Sequence, residues 1–568
     1  MRRFNIVDED LLFEKKLDAL HVKECEACDT FFWSNHAICY CGKYESMVDV
    51  LKNIGEVPDE LQDVAAFAKQ LPHSMAVLNG LISVCCNTPC FHEDFLIRRS
   101  KVSRALHWLK KNNKYYKDIV IDLPCIMSLP DNGYFSNYLN TGESQDFCDE
   151  QDDPDATTSI NRVVIPGIKN VPNTEKVKHL LKWPRISSEP GNEFNSPGYV
   201  AQAFPVLYPY GFGDLYEVKS KQVTARVYFQ YLMQKRDRRF SKHKLFPYFA
   251  LNSTLRWEAL SLGTLYMKKK PEVKNINIED LKVMVSESMS LPKSAMIYSS
   301  SIRTSKSYWM TRTYELDSLV DRFGLPTIFF SISAADHHWP RQFEIILCQS
   351  SSDLNVSDLS EKERQNLLKE NADLCADYFY ETASIFVVEV LVPFLKVLEY
   401  WFRFEWQMRG VGILSSVMYV YRLSTQLELI KVVEFKSVFI RQINHQALHN
   451  SITSKGEMKS KDLLNILKMI IFHSDVDESV KSVIQKLFVN LAADRDYSFQ
   501  EVIHILKGHK LYECSRTIVV LNLSESDWQP TANLSVLSDE ADTEEKHYDV
   551  LSAYSSRPQK FEKLTLLQ

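Results

Sequence analysis

The chain has 568 residues, of which 45% are hydrophobic and 12% aromatic, and this composition excludes a mainly disordered polypeptide. Its 67 basic and 73 acidic residues leave a net charge of -6. Two acidic runs, at 143–155 and 525–545, contain fourteen acidic residues, and the remainder of the chain carries +8. Such a mild basic excess permits contact with a polyanion, but it is also common in proteins that bind none.

Targeting signals and the number of cysteines limit the cellular compartments in which the protein is expected. Residues 1–16 contain Arg2 and Arg3 but no apolar run after them, so no secretory signal is expected. The most hydrophobic stretch, Ile385 to Trp401, is interrupted by charged residues and a proline, which predicts a buried element and no membrane span. Twelve cysteines are too few for a disulfide scaffold in a chain of this length. These features predict a protein of the nucleus or the cytoplasm that is not secreted.

Changes in composition predict five segments. Residues 1–118 form a small helical and cysteine-containing module, in which Val102, Ala105, Leu106 and Leu109 mark one face of a helix. An acidic low-complexity linker follows at 119–195, and an aromatic-rich main domain at 196–440. A helical segment at 441–523 and an acidic, disordered tail at 524–568 complete the chain.

The main domain contains both strand and helix patterns. Gly324-Leu325-Pro326 predicts a turn, and the β-branched and aromatic run Thr327 to Ser333 predicts a buried strand after it. Asn371 to Trp401 has mostly helical spacing, and Phe402 to Gly410 alternates as a strand does. Strand, helix and strand in one unit predict an α+β fold.

Four cysteines near the N-terminus predict a structural zinc site, because zinc prefers four such ligands in tetrahedral geometry. They are Cys25, Cys28, Cys39 and Cys41. The second pair is spaced more tightly than is usual for zinc, so another residue can take the place of one cysteine. The candidates for that place are His36, Cys85, Cys86, Cys90 and His92. A set of buried thiols without metal is the alternative interpretation.

The sequence has no glycine-rich loop that ends in Gly-Lys-Ser/Thr, so we expect no ATP site and no autonomous motor activity. It does contain a basic stretch with interleaved aromatic residues, which is typical of a surface that grips a phosphate backbone. The predicted contacts are Lys235, Arg236, Arg238, Arg239, Lys242 and Lys244. A solvated helix face is the alternative for this stretch.

Several segments resemble the Helitron helicase-like N-terminal region, the replication-initiator part of rolling-circle Helitron transposon proteins. They are AFPVLYPYGFGD (203–214), YFQYLMQKRDRRFSKHKLFPYFALNSTLR (228–256), GLPTIFFSISAADHHWP (324–340) and FRFEWQMRG (402–410). A further segment, 495–523, resembles the link between the initiator region and the helicase of those proteins. The N-terminal module is similar to the small domain that often precedes the initiator region. All segments occur in the expected order.

The resemblance implies a specific chemistry. In the family, a His-x-His pair on a strand holds a divalent metal, and tyrosines on a later helix attack the phosphate and form a 5′-phosphotyrosine link to single-stranded DNA. Both groups are needed, because a neutral phenol is a poor nucleophile and phosphate repels attackers.

This chain departs from the family at those positions. Ile413 and Ser415 occupy the two metal-ligand positions, and Leu448 and Ile452 stand where tyrosines are expected. Tyr419 and Tyr421 follow the strand directly and are interpreted as core or surface aromatics. His337 and His338, next to Asp336, form a second candidate metal site, although adjacent residues of a strand point to opposite faces.

We therefore expect an α+β protein with a replication-initiator-like antiparallel sheet, flanking helices and a small cysteine-containing module. The implied identity is a Helitron-derived protein without nicking activity that binds at most nucleic acid, with single-stranded DNA as the partner and a structural zinc as the metal. Two alternatives stay open. One is an active nicking enzyme whose catalytic block is lost from this sequence by a wrong splice junction or a frameshift, and the other is a domesticated interaction protein.

Overall fold

The computed structural model describes residues 6–36, 39, 54–58, 70–71, 96–129, 131, 133–134, 196–217, 223–270, 273, 276–287, 290–350, 354–406, 412–420, 470–472, 479–493 and 497–518. The first helices are α1 (Ile6–Ala19), α2 (Arg99–Asn112), α3 (Leu123–Ser128), α4 (Tyr199–Ala203), α5 (Ala225–Met233), α6 (Arg239–Lys242), α7 (Phe246–Lys269), α8 (Ile278–Glu287) and α9 (Ser290–Ser299). The later helices are α10 (Lys306–Phe323), α11 (Pro340–Gln349), α12 (Glu361–Glu370), α13 (Ala372–Ile385), α14 (Val392–Leu395), α15 (Val480–Ala493) and α16 (Phe499–Leu506). A π-helical segment, Phe386–Leu391, joins α13 to α14.

Ten strands lie among the described residues. Three two-stranded pairs are formed by β1 (Val22–Cys25) with β2 (Thr30–Trp33), β3 (Gln70–Leu71) with β5 (Val120–Ile121), and β4 (Leu96–Ile97) with β6 (Gly133–Tyr134). The four-stranded sheet is formed by β7 (Ile328–Ser333), β8 (Val397–Trp406), β9 (Gly412–Val420) and β10 (Tyr512–Cys514). Together with the helices, this sheet confirms the predicted α+β class.

The four-stranded sheet is antiparallel, in the order β10-β8-β9-β7. On one side β9 pairs with β8, from Glu399 opposite Tyr419 to Trp406 opposite Gly412. On the other side β9 pairs with β7. Strand β9, which follows the predicted strand Phe402 to Gly410 in the chain, is therefore an inner strand of the sheet.

One face of the sheet is apolar and packs on α13. Its buried members are Ile332, Phe402, Phe404, Leu414 and Met418. Phe379 and Phe386 from the helical side and Trp33 from β2 join the same core. Burial of large apolar side chains contributes roughly 1.5 to 3 kcal/mol each, so this face fixes the register of the strands.

A second core is helical. The 24-residue helix α7 is buried along much of its length and packs against α15, where Gly263 leaves room for the Gln485 backbone. Tyr228 and Phe229 of α5, Phe246 and Tyr266 of α7, and Phe488 of α15 belong to this core. The helical layer supports the basic stretch, which lies between α5 and α7.

The sequence located several of these elements, but it missed α3, β5 and β6 inside the predicted linker and β10 inside the predicted helical segment. Gly324, at a φ of 80°, ends α10 before β7, as the predicted turn requires. Helix α2 buries Ala105, Leu106 and Leu109 as predicted. The helical prediction for Asn371 to Trp401 extends too far, because Lys396 adopts the left-handed conformation, with a φ of 51°, and β8 begins at Val397.

The stretch Ala372–Leu395 is long and apolar enough, by length and composition alone, to cross a membrane. In this structure α13 packs on the sheet, and 56% of that window is buried inside the protein. A core helix passes the same test of length and composition. Most of the predicted linker and the whole acidic tail lie outside the described residues.

Candidate functional site

The second face of the sheet contains Ile413 and Ser415, the two positions that the family resemblance predicts for metal ligands. Ile413 and Ser415 alternate with the buried residues Leu414 and Ser416 along β9, so they point to this second face. Their neighbours across the strands are Ser333 and Ser331 on β7, and Glu405 and Arg403 on β8. All six side chains are partly exposed. The site is therefore an accessible half of the sheet surface, which we call the β9 face.

The chemistry of the β9 face is that of hydroxyls and one ion pair. Arg403 and Glu405 form a salt bridge, and the Arg403 guanidinium lies 5.7 Å from the centre of the Trp309 ring. Among the six described side chains there is no imidazole. The Glu405 carboxylate is engaged by a cation, so it offers a poor first ligand to a divalent metal.

The other half of the second face is covered by α10. Trp401 and Tyr419 are buried there against Leu316 and Leu319. Burial raises the pKa of Tyr419, and its hydroxyl has no hydrogen-bond partner among the described residues. Tyr419 thus has the environment of a core aromatic residue. Tyr421, Leu448 and Ile452 lie outside the described residues.

The adjacent histidines do not assemble a metal site in the described structure. His337 and His338 lie in a single 3-10 turn after β7, and both are exposed. Burial raises the pKa of the neighbouring Asp336 to about 6. The described residues bring three metal-ligating atoms together at the N-terminal cysteines and not at this turn.

The predicted cysteines do converge. The Sγ atoms of Cys25, Cys28 and Cys39 all lie within 4.8 Å of one another. A zinc ion with bonds of about 2.3 Å holds sulfur atoms slightly less than 4 Å apart, so small shifts would complete three of its bonds. These three cysteines can therefore hold a metal ion. Cys41, Cys85, Cys86, Cys90 and His92 lie outside the described residues.

The β1–β2 hairpin explains how two of the cysteines meet. Cys25 ends β1 opposite Thr30, and Cys28 lies in the intervening turn with its Sγ 3.0 Å from the Thr30 hydroxyl. Asp29 closes the turn with a φ of 51°, a conformation that Asp tolerates better than most residues. The turn is fixed from outside, because the Asp29 carbonyl accepts a hydrogen bond of 3.0 Å from the Arg236 backbone.

His36, the proposed substitute ligand, is engaged elsewhere. Its Nε2 lies 3.0 Å from Oε1 of the buried Glu381, and Asn35 donates to the other oxygen of that carboxylate at 2.7 Å. The hydrogen bond with Glu381 raises the pKa of His36 against the lowering effect of burial. His36 therefore attaches the hairpin to α13.

Two of the six predicted basic residues form ion pairs inside the protein. Arg238 is buried, and its Nε donates to Oδ2 of Asp373 at 2.9 Å. Lys235 is buried as well and forms a salt bridge with Asp29. Neither cation is available to a phosphate in this structure. The solvated-face alternative is also incomplete, because these two residues are not solvated.

The remaining basic residues lie nearer to the solvent. Arg236 is exposed and loosely paired, with its Nε 3.4 Å from Asp29. Arg239 contacts Asp237 and donates to the Gly55 carbonyl at 2.7 Å. Lys242 and Lys244 are exposed beyond it. Burial, and then the charge of Arg238, lower the pKa of Lys242. Arg236, Lys242 and Lys244 are thus the members of the predicted set that a phosphate backbone can reach.

Sequence reasoning missed an acidic ridge on α13. Asp373, Asp377 and Glu381 recur every four residues, so they share one helix face, and all three are buried. Asp373 forms an ion pair with Arg238 of the basic stretch, and Glu381 forms hydrogen bonds with Asn35 and His36 after the hairpin. Asp377 binds Lys507 at 2.5 Å and His509 at 2.9 Å, both from the segment after α16. The four-residue spacing was visible in the sequence, but the apolar residues around it indicated only a core helix.

Comparisons with known proteins find two families that match parts of this chain. The family described as "Helitron helicase-like domain at N-terminus" matches residues 228–412, and a domain of unknown function, DUF6570, matches residues 38–127. Neither the search of curated proteins nor the search of solved structures finds a match. The Helitron match covers β7 and β8 and stops at Gly412, one residue before the first of the two ligand positions. Residues 228–412 of this chain therefore form a Helitron helicase-like N-terminal domain.

Proposed function

We propose that this Helitron-derived protein binds single-stranded DNA and does not nick it. The observation that supports the loss of nicking is the composition of the β9 face. Ile413 and Ser415 stand at the ligand positions on an inner strand, between serines on one side and a closed ion pair on the other. An isoleucine offers no ligand atom, and a serine hydroxyl is a weak ligand for a divalent metal.

The way in which β9 folds supports the same proposal. Residues Ile413 to Met418 of β9 pair in continuous register with β7, and the pairing of β9 with β8 is continuous from Glu399 to Trp406. Gly412 itself is closely fitted, because an added Cβ there would lie 2.3 Å from the Phe379 ring. A random peptide produced by a frameshift has no reason to satisfy both neighbouring strands and this contact. These facts favour a genuine replacement of the ligands over a lost catalytic block.

The cysteine cluster contributes a structural element to the proposal. Cys25, Cys28 and Cys39 would bind zinc, with Cys41 as the proposed fourth ligand. The metal would fix the hairpin turn whose Asp29 contacts Lys235 and Arg236. The zinc site would thereby position Arg236, and Arg236, Lys242 and Lys244 would contact phosphates.

The experiment uses the full chain with a labelled oligothymidine of about twenty nucleotides, a length that spans one or two typical single-strand sites. We expect binding at low salt, and neither cleavage nor a covalent protein-DNA band in the presence of manganese. A tyrosine-linked adduct would overturn the loss of nicking. No binding at low salt would overturn the DNA-binding part and favour the domesticated interaction protein.

A variant with histidines at the two predicted ligand positions is a positive control for metal binding at the β9 face. The double variant Ile413→His, Ser415→His places two imidazoles on the same face of one strand, at the family's positions. We expect it to bind Mn²⁺ in an electron paramagnetic resonance titration, whereas the natural protein does not bind Mn²⁺ at this face. The matched control is Leu398→His with Tyr314→His, since both residues are exposed and lie outside the β9 face.

A further inference from the structure

A strongly basic surface lies outside the site described above, on α2. Residues 98–117 contain eight lysines and arginines and no acidic residue. Helix α2 buries Ala105, Leu106 and Leu109 on its inner side. Arg104, His107 and Lys111 are exposed on the opposite side, at the spacing of one helix face. Neither Arg104 nor Lys111 has an acidic partner among the described residues.

Two exposed aromatic rings adjoin this helix. They belong to the loop Pro209–Gly213, in which Tyr210 is 37% exposed and Phe212 43% exposed. Gly211 and Gly213 both adopt positive φ, at 79° and 87°, so the loop turns sharply on each side of Phe212. Large aromatic side chains are normally buried, and two exposed rings in one glycine-bounded loop favour a binding surface.

The loop and the helix form one rigid unit. The Asn113 side chain donates to the carbonyls of Tyr208 and Pro209, at 3.1 and 2.9 Å. The Tyr210 ring packs edge-on against Trp108, with 5.4 Å between ring centres. Lys114 forms a salt bridge with Glu217 and places its ammonium 4.4 Å from the centre of the Phe212 ring. These contacts hold the loop against the C-terminal end of α2, the helix that carries Arg104 and Lys111.

We infer that this surface, formed by α2 and the loop Pro209–Gly213, binds single-stranded DNA, with phosphates on Arg104 and Lys111 and bases on Tyr210 and Phe212. The inference rests on the proposed DNA-binding function and assigns it a second set of contacts, formed by residues other than the basic stretch at 235–244. A polyanion fits the charge, and unpaired bases fit the exposed rings, because every base has a face that can stack on an aromatic ring.

The first test measures the charge contribution. Binding of the full chain to oligothymidine is followed by fluorescence anisotropy over a series of salt concentrations. The double variant Arg104→Ala, Lys111→Ala should lower the slope of log affinity against log salt by about 1.4, which is about 0.7 for each lost contact with a single strand. The matched control is Lys362→Ala, Lys369→Ala, two exposed lysines with the same seven-residue spacing on α12. Its slope should stay unchanged.

The second test measures stacking. Phe212→Ala should weaken binding by at least about fivefold, whereas Phe212→Trp, which keeps an aromatic face, should bind within about twofold of the natural protein. Tyr314→Ala, which removes another exposed ring, is the control. Circular dichroism and the melting temperature must show that each variant is folded. Phe212 is exposed, so its replacement leaves the core intact.

The outcomes separate the two claims. If the natural protein does not bind oligothymidine at low salt, the proposed function and this inference both fail. If it binds, but the α2 and Phe212 variants behave like their controls, the inference alone is overturned. A duplex of the same length that binds more tightly than the single strand would also overturn it, because paired bases cannot stack on the two rings.

Discussion

Arg238 and Asp373 form a buried ion pair between the basic stretch and α13. The Arg238 Nε donates to Oδ2 of Asp373 at 2.9 Å, and the Ser241 hydroxyl donates to the same oxygen at 2.7 Å. Arg238 holds this position with a φ of 56°, a strained conformation for an arginine. An arginine that resembles a nucleic-acid contact in the sequence is thus a structural residue.

Replacement of Arg238 should destabilise the protein severely. Arg238→Ala leaves the Asp373 charge buried without its cation, so we expect a loss of roughly 3 to 5 kcal/mol in the free energy of unfolding. Arg236→Ala is the matched control, because Arg236 lies two residues away but is exposed and loosely paired. It should cost less than about 1 kcal/mol. Chemical denaturation of both variants measures the difference, and equal losses would contradict the structural role.

The buried acids should make the protein sensitive to acid. Burial alone would raise the pKa of Asp373, but the charge and hydrogen bond of Arg238 outweigh it and lower the pKa to about 2. The pKa of Asp377 is also lowered, by Lys507 and His509 against the effect of burial. A carboxyl group whose pKa is lower in the folded state than in the unfolded state stabilises the fold at pH values above its unfolded-state pKa, near 3.9. That contribution is lost as the pH falls toward the folded-state pKa.

We therefore expect the free energy of unfolding to fall between about pH 5 and pH 2, by on the order of 2 kcal/mol for Asp373 alone. Denaturant titrations at several pH values measure this slope. In Asp373→Asn the protein should be less stable at neutral pH, and its slope over that range should be smaller. A slope identical to that of the natural protein would show that Asp373 does not titrate as the ion pair requires.

The cysteine cluster should hold about one zinc per chain, since zinc sites of this type bind a single ion. Expression with added zinc and elemental analysis measure the content. Cys28→Ser should lower the content strongly, because it removes a buried ligand, whereas Cys348→Ser, at an exposed cysteine on α11, should not. Cys41→Ser tests the proposed fourth ligand. Less than about a tenth of an equivalent in the natural protein would reject the site.

The exposed part of the basic stretch can be tested separately from Arg238. Replacing Arg236, Lys242 and Lys244 together by Ala should flatten the salt dependence of single-strand binding, by up to about 0.7 for each contact that is lost. The fold should persist, because all three side chains are exposed. An unchanged salt slope in a folded protein would return these residues to the solvated-face interpretation.

The sequence predicted structure correctly where a local residue pattern is compatible with only one kind of element. The alternation in Phe402 to Trp406 and the β-branched run before Ser333 both became strands of the sheet. The pairing of Cys25 with Cys28 was visible from their spacing alone. By contrast, Lys235 and Arg238 have the same sequence signature as Arg236 and Lys242, and only their tertiary partners Asp29 and Asp373 separate buried cations from exposed ones.

The location of those partners explains why they could not be predicted. Arg238 and Asp373 are 135 residues apart in the chain, and Lys507 lies 130 residues from Asp377. Glu381 meets His36 across 345 residues. Periodicity reports which face of a helix is buried, but it carries no information about which distant segment supplies a counter-charge.

The acidic ridge of α13 also affects how the protein can be divided. The matched region, 228–412, contains Asp373, Asp377 and Glu381 but lacks the hairpin with His36 and the segment with Lys507 and His509. It also lacks β9 beyond Gly412, the inner strand that pairs with β7 and β8, and β10, which pairs with β8 at the edge of the sheet. A fragment cut at the limits of the family match would leave two buried carboxylates without their partners, and it would leave β7 and β8 without the strands that pair with them. The region that matches the family and the region joined by these contacts therefore have different boundaries in this protein.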